Sequence, residues 1–281
     1  KWRIIGVFDG KVKIMRNELI GEYSWNSVAD STDSSTSLSN NNDNTNIVSL
    51  LVNEDINYKT IFLLPESTEA TNNNWSQSSL MKLLNPGYES KDIGGSLYYN
   101  SGSGSCYSGH YNVTTTCNFT STGIKNSATR NLISDTLYYL GGWNTSEIYS
   151  DQIYGYERGT TVYSGRPTSW TGKIALPYPS DYGYAADLGS CTVQLGSYDN
   201  STCTSANWMK PILGTDSYGW LLTPSSVSSD GAWRVDLSGI VNYSYGTCDA
   251  SGVAPVFYLG SEQVIESGTG TSSDPYRLSV S

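Results

Sequence analysis

Histidine is nearly absent: His110 stands alone in 281 residues. A lone imidazole cannot supply a zinc centre of the usual composition, and there is no G-x-S-x-G elbow for it to activate. Charge is scarce too, at 15% of residues, against about a quarter in ordinary globular chains. What charge there is leans acidic, with 16 Lys and Arg against 26 Asp and Glu and a net charge of −10. Such a chain lacks the basic footprint that phosphate backbones require, which argues against nucleic acid as a partner. Anionic membrane surfaces are disfavoured for the same reason. No apolar run approaches the roughly 20 residues of a membrane span, so this segment is expected to make no membrane contact. Motifs for bound groups are missing as well. There is no D-x-D-x-D-G calcium loop and no C-x-x-C pair. Gly268-Thr269-Gly270-Thr271 is followed by no lysine and opens no helix, so it is not a phosphate loop. No two carboxylates stand at a spacing that marks a glycosidase pair. The expectation is a non-enzyme with no catalytic residue, no metal ligand and no cofactor.

Polarity comes instead from Ser, Thr, Asn, Gly and 22 Tyr. Five cysteines are present. Cys106 and Cys117 flank one Gly/Ser/Thr-rich loop, and Cys191 and Cys203 flank another. Two local pairs in polar loops point to disulfides Cys106–Cys117 and Cys191–Cys203 and to an oxidising compartment. Cys248 is left over. At this length the chain can bury a sizeable core.

Taken in order, Trp2–Phe8, Asp9-Gly10 and residues 11–15 read as a β-hairpin, since Asp-Gly between apolar strands is a strong turn signal. Its alternation sets Val12 and Ile14 inward, against Lys11 and Lys13. Residues 21–25 continue extended, 30–46 read as a mobile polar loop, and 47–51 and 60–64 are apolar fragments. A helix is expected over 74–85, capped by Asn74 and ended before Pro86-Gly87. A second is expected over 126–139, with Ala128, Leu132 and Ile133 inward. Residues 171–185 read as a strand running into a turn or short helix, where Asp181 serves as a cap or first-turn acid. The tail pairs Val264-Ile265 with Tyr276-Arg277-Leu278 as a closing hairpin.

Residues 218–259 organise the rest. Gly219-Trp220-Leu221-Leu222-Thr223-Pro224 and Val253-Ala254-Pro255-Val256-Phe257-Tyr258-Leu259 read as buried strands. Between them Trp233, Val235 and Leu237 fall on one face, and Arg234, Asp236 and Ser238 on the other. Ser238-Gly239 is a tight turn into Ile240-Val241. The polar exterior mixes small adaptable residues with tyrosine, the chemistry of antibody-type binding loops.

The phrases Trp220-Leu221-Leu222-Thr223-Pro224, Ala232-Trp233-Arg234-Val235, Gly239-Ile240-Val241 and Gly252-Val253-Ala254-Pro255-Val256 carry a resemblance. They look like the C-terminal variable region of C-type-lectin-fold proteins diversified by bacterial retroelements, some carried on pilin-like surface proteins. That family reads W-x-L-S-P, A-W-x-V, G-x-V and G-V-R-P-V; this chain departs at Thr223, where the family tends to Ser, and at Ala254, where it tends to Arg. The phrase Trp75-Ser76-Gln77-Ser78-Ser79-Leu80 and residues 171–185 also resemble family phrases, so the likeness covers most of the chain.

The resemblance implies an α+β fold of C-type-lectin type: one domain over 1–281, with insertions near 26–60, 89–122 and 141–210, a variable region at 218–259 and a closing hairpin at 260–281. It implies ligand binding by exposed Ser228, Ser229, Asp230, Arg234, Asp236, Asn242, Tyr243, Ser244, Tyr245, Thr247, Cys248, Asp249 and Ser251. Trp220, Trp233, Val235, Gly239, Gly252 and Pro255 would be the fixed frame. The ligand would be a protein or glycan on another cell or phage surface. The chain opens on Lys1-Trp2 without Met, so an upstream segment is expected to anchor it at the cell surface or to have directed it outside. The Glu-Pro-Asn and Gln-Pro-Asp triplets of calcium-dependent sugar binders are missing. Two alternatives remain open: a structural pilus or surface-layer subunit, and a polysaccharide-acting enzyme.

Overall fold

A computed structural model describes residues 1–26, 72–90, 92–109, 112–260, 265–269, 273–274 and 276–278, without the side chains of Ser244 and Tyr245. The expected polar loop at 30–46, the fragments at 47–51 and 60–64, and His110 lie outside the described residues.

The elements run β1 (Trp2–Phe8), β2 (Lys11–Arg16), β3 (Glu22–Ser24), α1 (Ser79–Leu84), β4 (Ser103–Tyr107), β5 (Thr114–Asn118), α2 (Ser127–Asn131), β6 (Thr136–Tyr139), α3 (Ser150–Glu157), β7 (Ser169–Gly172), β8 (Ile174–Ala175) and α4 (Pro179–Tyr184). Then come α5 (Ser201–Ala206), α6 (Lys210–Leu213), β9 (Gly219–Pro224), β10 (Gly231–Val235), β11 (Val241–Gly246), β12 (Ala250–Gly252), β13 (Val256–Tyr258), β14 (Ile265–Ser267) and β15 (Arg277–Leu278). The class is α+β, mostly antiparallel strands with short helices.

Of the two larger sheets among the described residues, one is four-stranded, in the order β1-β2-β13-β8, and the other five-stranded, β11-β10-β9-β12-β3; β4-β5, β6-β7 and β14-β15 pair separately. Both larger sheets are closed by the two ends of the chain. β2 pairs with β13 (Met15 opposite Val256), and β3 pairs with β12 (Tyr23 opposite Ser251). Asp9 and Gly10 make the first turn at φ 50° and 75°, the pair of left-handed residues that a twisted two-residue hairpin needs. The core is aromatic. Trp25 packs edge-on against Trp75 and Trp220, with centroids 5.0 and 5.9 Å away, and all three are fully buried. The Trp220 indole satisfies its N–H on the Tyr23 carbonyl at 2.9 Å.

The expected first helix divides at Ser78. Asn74 caps a single 3₁₀ turn over Trp75–Gln77, and Ser78 accepts the Met81 N–H at 3.1 Å to start α1. Asn85 ends it and clamps β8, donating to the Ile174 carbonyl and accepting from the Lys173 and Ile174 amides. The second expected helix stops early. Asn126 caps it, but α2 ends at Asn131, and Thr136–Tyr139 form β6 against β7. A run rich in β-branched and aromatic residues with a partner strand available prefers the sheet. Cys106–Cys117 joins β4 to β5, and Cys191–Cys203 fastens α5; the Cα separations are 5.8 and 4.8 Å. Each closes a short loop, worth about 3 kcal/mol by chain entropy. β14 and β15 pair as the tail hairpin. No described helix is long and apolar enough to cross a membrane.

Lys13 breaks the alternation expected of β2. It is 1% exposed, because β2 is an interior strand and its polar-looking face is covered by α4.

Candidate functional site

The connection between β9 and β10 begins where Pro224 ends one ladder and finishes where Gly231 starts the next. Ser225 accepts the amides of Val227 and Ser228 at 3.3 and 3.2 Å, and Ser228 accepts those of Asp230 and Gly231 at 3.3 and 3.1 Å. Two serine side chains therefore replace the backbone partners that a six-residue loop would otherwise lack. Ser228 also donates to the Asp230 carboxylate.

The loop is fastened from below by Asn73, which is fully buried. Its amide nitrogen donates to the carbonyls of Ser225, Ser228 and Gly231 at 3.0, 2.9 and 2.9 Å. Its side-chain oxygen accepts from Arg166 Nε at 2.9 Å, and Arg166 Nη2 reaches the Ser229 carbonyl at 2.9 Å. Gly142 fits beneath, where a Cβ would stand 2.3 Å from the Pro224 carbonyl. Sequence reasoning missed Asn73 and Arg166. The signal was the run Asn72-Asn73-Asn74, which holds more asparagines than one helix cap uses.

On this rigid base Val227 stands out, 57% exposed, with Ser226, Ser228, Ser229 and Asp230 half-buried around it. β11 carries Asn242 and Tyr243, both half-buried, with the Tyr243 ring 5.6 Å from Trp233. Ser244 and Tyr245 continue the strand, Tyr245 opposite Ala232. The next connection begins at the same end, where the Thr247 amide donates to the Asp230 carbonyl at 2.8 Å.

Several residues expected on the exterior are instead built into the frame. Arg234 is 7% exposed, because β10 has strands on both sides and aromatic cover on its second face. Its guanidinium lies 4.1 Å from the Tyr218 ring centroid and 6.0 Å from that of Trp220, with Nη1 3.3 Å from Ser251 Oγ and 3.9 Å from Asp249. Ser251 and Thr247 are fully buried; Cys248 is buried and belongs to neither disulfide. Asp249 keeps partial exposure. Asp236 sits at the opposite end of β10, where its carboxylate accepts the amides of Ser238, Gly239 and Ile240 at 2.8, 2.9 and 3.0 Å. It shapes the turn that Ser238-Gly239 was expected to make. Leu237, expected inside, is exposed, since the strand ends at Val235.

A second polar cluster is wholly internal. Lys13 contacts the Asp181 carboxylate under the rings of Tyr178, Phe8 and Tyr258, with Nζ 4.4, 5.7 and 5.7 Å from their centroids. Asp181 accepts the Tyr178 amide at 2.8 Å, the helix-start role expected of it. Glu157, fully buried, accepts from the Ser180 amide at 2.9 Å and hydroxyl at 2.5 Å, with Arg158 3.4 Å away. Desolvation pushes the Glu157 carboxyl up to about 8 against the pull of its Ser180 hydrogen bonds, and lowers the Lys13 ammonium against the pull of Asp181. A cleft lined by Tyr23, Ser24, Leu80, Leu83, Ile93 and Cys106 holds about 10 Å³, room for one water and no sugar. Among the described residues no three His, Cys, Asp or Glu gather as metal ligands.

Compared with protein-family models, curated proteins and solved structures, the chain matches none. The site therefore has to be read from its own chemistry.

Proposed function

We propose that this chain is a non-catalytic recognition domain of the C-type-lectin type, displayed outside the cell. Its binding face would comprise the 225–230 connection, the outward side of β11 and the start of the 246–249 connection. The observation that carries the reading is the contrast between base and top: Asn73 and Arg166 hold the loop by its backbone carbonyls, so the side chains of Ser226, Val227 and Ser229 are spared structural work. A loop held by its backbone can change side chains at little structural cost, which is what a diversified surface needs. The phrases shared with retroelement-diversified proteins, and two disulfides, support the same reading.

Under this proposal the mutable set is narrower than the sequence resemblance implied. It contains Ser226, Val227, Ser229, Asn242, Tyr243, Ser244, Tyr245 and Asp249, while Ser228, Asp230, Arg234, Asp236, Thr247, Cys248 and Ser251 join the frame. Sequencing this locus across sister isolates tests it. Substitutions should gather at those positions and spare Trp220, Trp233, Arg234 and Gly252. An even scatter along the chain would sink the idea. A structural pilus or surface-layer subunit is the second reading, favoured by Ile4 and Val7, which stand exposed on the edge strand β1. Concentration-dependent assembly of the purified chain, abolished by charging Val7, would favour that reading instead.

A further inference from the structure

We infer that Lys13 and Asp181 condense into an intramolecular isopeptide bond, Nζ of the lysine to Cγ of the aspartate, tying β2 to the first turn of α4. The inference is independent of the recognition reading. It starts from a contact between an amine and a carboxyl group in a dry site: the Lys13 and Asp181 side chains are 1% and 4% exposed, and Nζ touches Oδ2.

The surroundings suit an amide better than an ion pair. An ammonium carries three donors, and among the described residues Asp181 is the one acceptor that Lys13 Nζ reaches by a hydrogen bond. The remaining directions face the rings of Tyr178, Phe8 and Tyr258, which offer cation–π attraction but no lone pair. Taking both charges out of water is costly, and neutralisation relieves it. Burial works against the charged form of Lys13 and outweighs the opposing pull of Asp181 and Glu157, with Arg158 adding to the effect of burial.

The carboxyl group is already differentiated. Oδ2 accepts the Tyr178 amide at 2.8 Å, so it is the oxygen that stays and becomes the amide carbonyl, its developing negative charge met by that N–H. Oδ1 makes no hydrogen bond among the described residues and is the oxygen that leaves. In the step, proton transfer within the pair gives a neutral amine and a carboxylic acid. The Nζ lone pair attacks Cγ, the Nζ–Cγ bond forms, and the Cγ–Oδ1 bond breaks. Oδ1 departs as water, carrying the two hydrogens that the nitrogen gives up. No oxidant, metal or external carrier is required. Holding the amine against the carboxyl group raises its effective concentration, up to the order of 10⁵–10⁸ M for well-oriented intramolecular reactions, and the product keeps one N–H and one carbonyl in place of two charges.

Mass spectrometry of the intact full-length chain, unfolded and with disulfides reduced, tests this directly. The chain should weigh one water less than its sequence, and proteolysis should release a branched peptide joining the segments that carry Lys13 and Asp181. The variants K13R and D181A should each show their full sequence masses. A wild-type chain at full mass overturns the inference, and that reading needs no variant to fold. A water loss that persists in both variants overturns it too, because the loss then lies elsewhere.

Discussion

Lys13 on β2 and Arg234 on β10 both alternate with apolar neighbours, and both point inward rather than to solvent. Each lies over aromatic rings and each meets an aspartate, yet the two settings differ. The lysine is a compact point charge pressed on one carboxylate and sealed by three rings. The arginine is spread flat over Tyr218, shares its donors with Ser251, and faces Asp249 at a looser 3.9 Å. The first arrangement locks two elements together. The second lies beneath the proposed binding face. In a chain so rich in tyrosine and tryptophan, a cation on a strand is no marker of the wet face, because aromatic faces accept it.

The sharpest way to break this contrast is to remove the lysine's amine. K13M leaves the Asp181 carboxyl buried with neither an amide nor a cation to neutralise it and should cost about 3–5 kcal/mol, read as a lower midpoint in urea. The same cluster predicts a pH dependence. The Glu157 carboxyl is raised from 4.5 to about 8 on folding, so the folded state holds a proton that the unfolded chain releases. Its stabilising contribution is full below pH 4.5 and is lost as pH rises towards 8. E157Q should flatten that decline in melting temperature; an unchanged slope would assign it to other groups.

Next in size, N73A strips three carbonyls of their donor and should cost about 1–3 kcal/mol. Hydrogen exchange should quicken in residues 225–231 and stay slow in β2 and β13. R234K should cost less, about 1–2 kcal/mol, because the ammonium keeps the charge but loses the stacked plane. A loss as large as that of K13M would erase the distinction drawn between the two cations. The smallest effect is expected at the top of the loop. V227S combined with S229A should move stability by no more than about 0.5 kcal/mol per site. A larger fall would mean that these side chains belong to the frame.

The signals legible in sequence were local ones. Asp9-Gly10 announced its hairpin, Pro86-Gly87 the end of α1, and the spacing of Cys106, Cys117, Cys191 and Cys203 their pairing. Ser238-Gly239 was read as a turn, although not that Asp236 supplies its carboxylate. What stayed hidden was anything decided by a distant partner. Thr136–Tyr139 look helical until β7 offers a ladder, and Ser251 and Thr247 look like surface until β3 and the Asn72-Asn73 segment close over them. Asn73 shows the same limit more plainly: its role exists only because the carbonyls of Ser225, Ser228 and Gly231 converge from elsewhere in the chain.

The pairing of β2 with β13 reaches beyond the finished fold. Both sheets place a strand from the beginning of the chain beside one from its far end, so neither can be completed while the C-terminal part is still being made. Contacts this distant in sequence are won late and slowly, and the apolar strands that wait for them are exposed to wrong partners. In a chain wired this way both sheets close only after residues 250–258 have been made, and β2 and β3 must wait for them unpaired on that side.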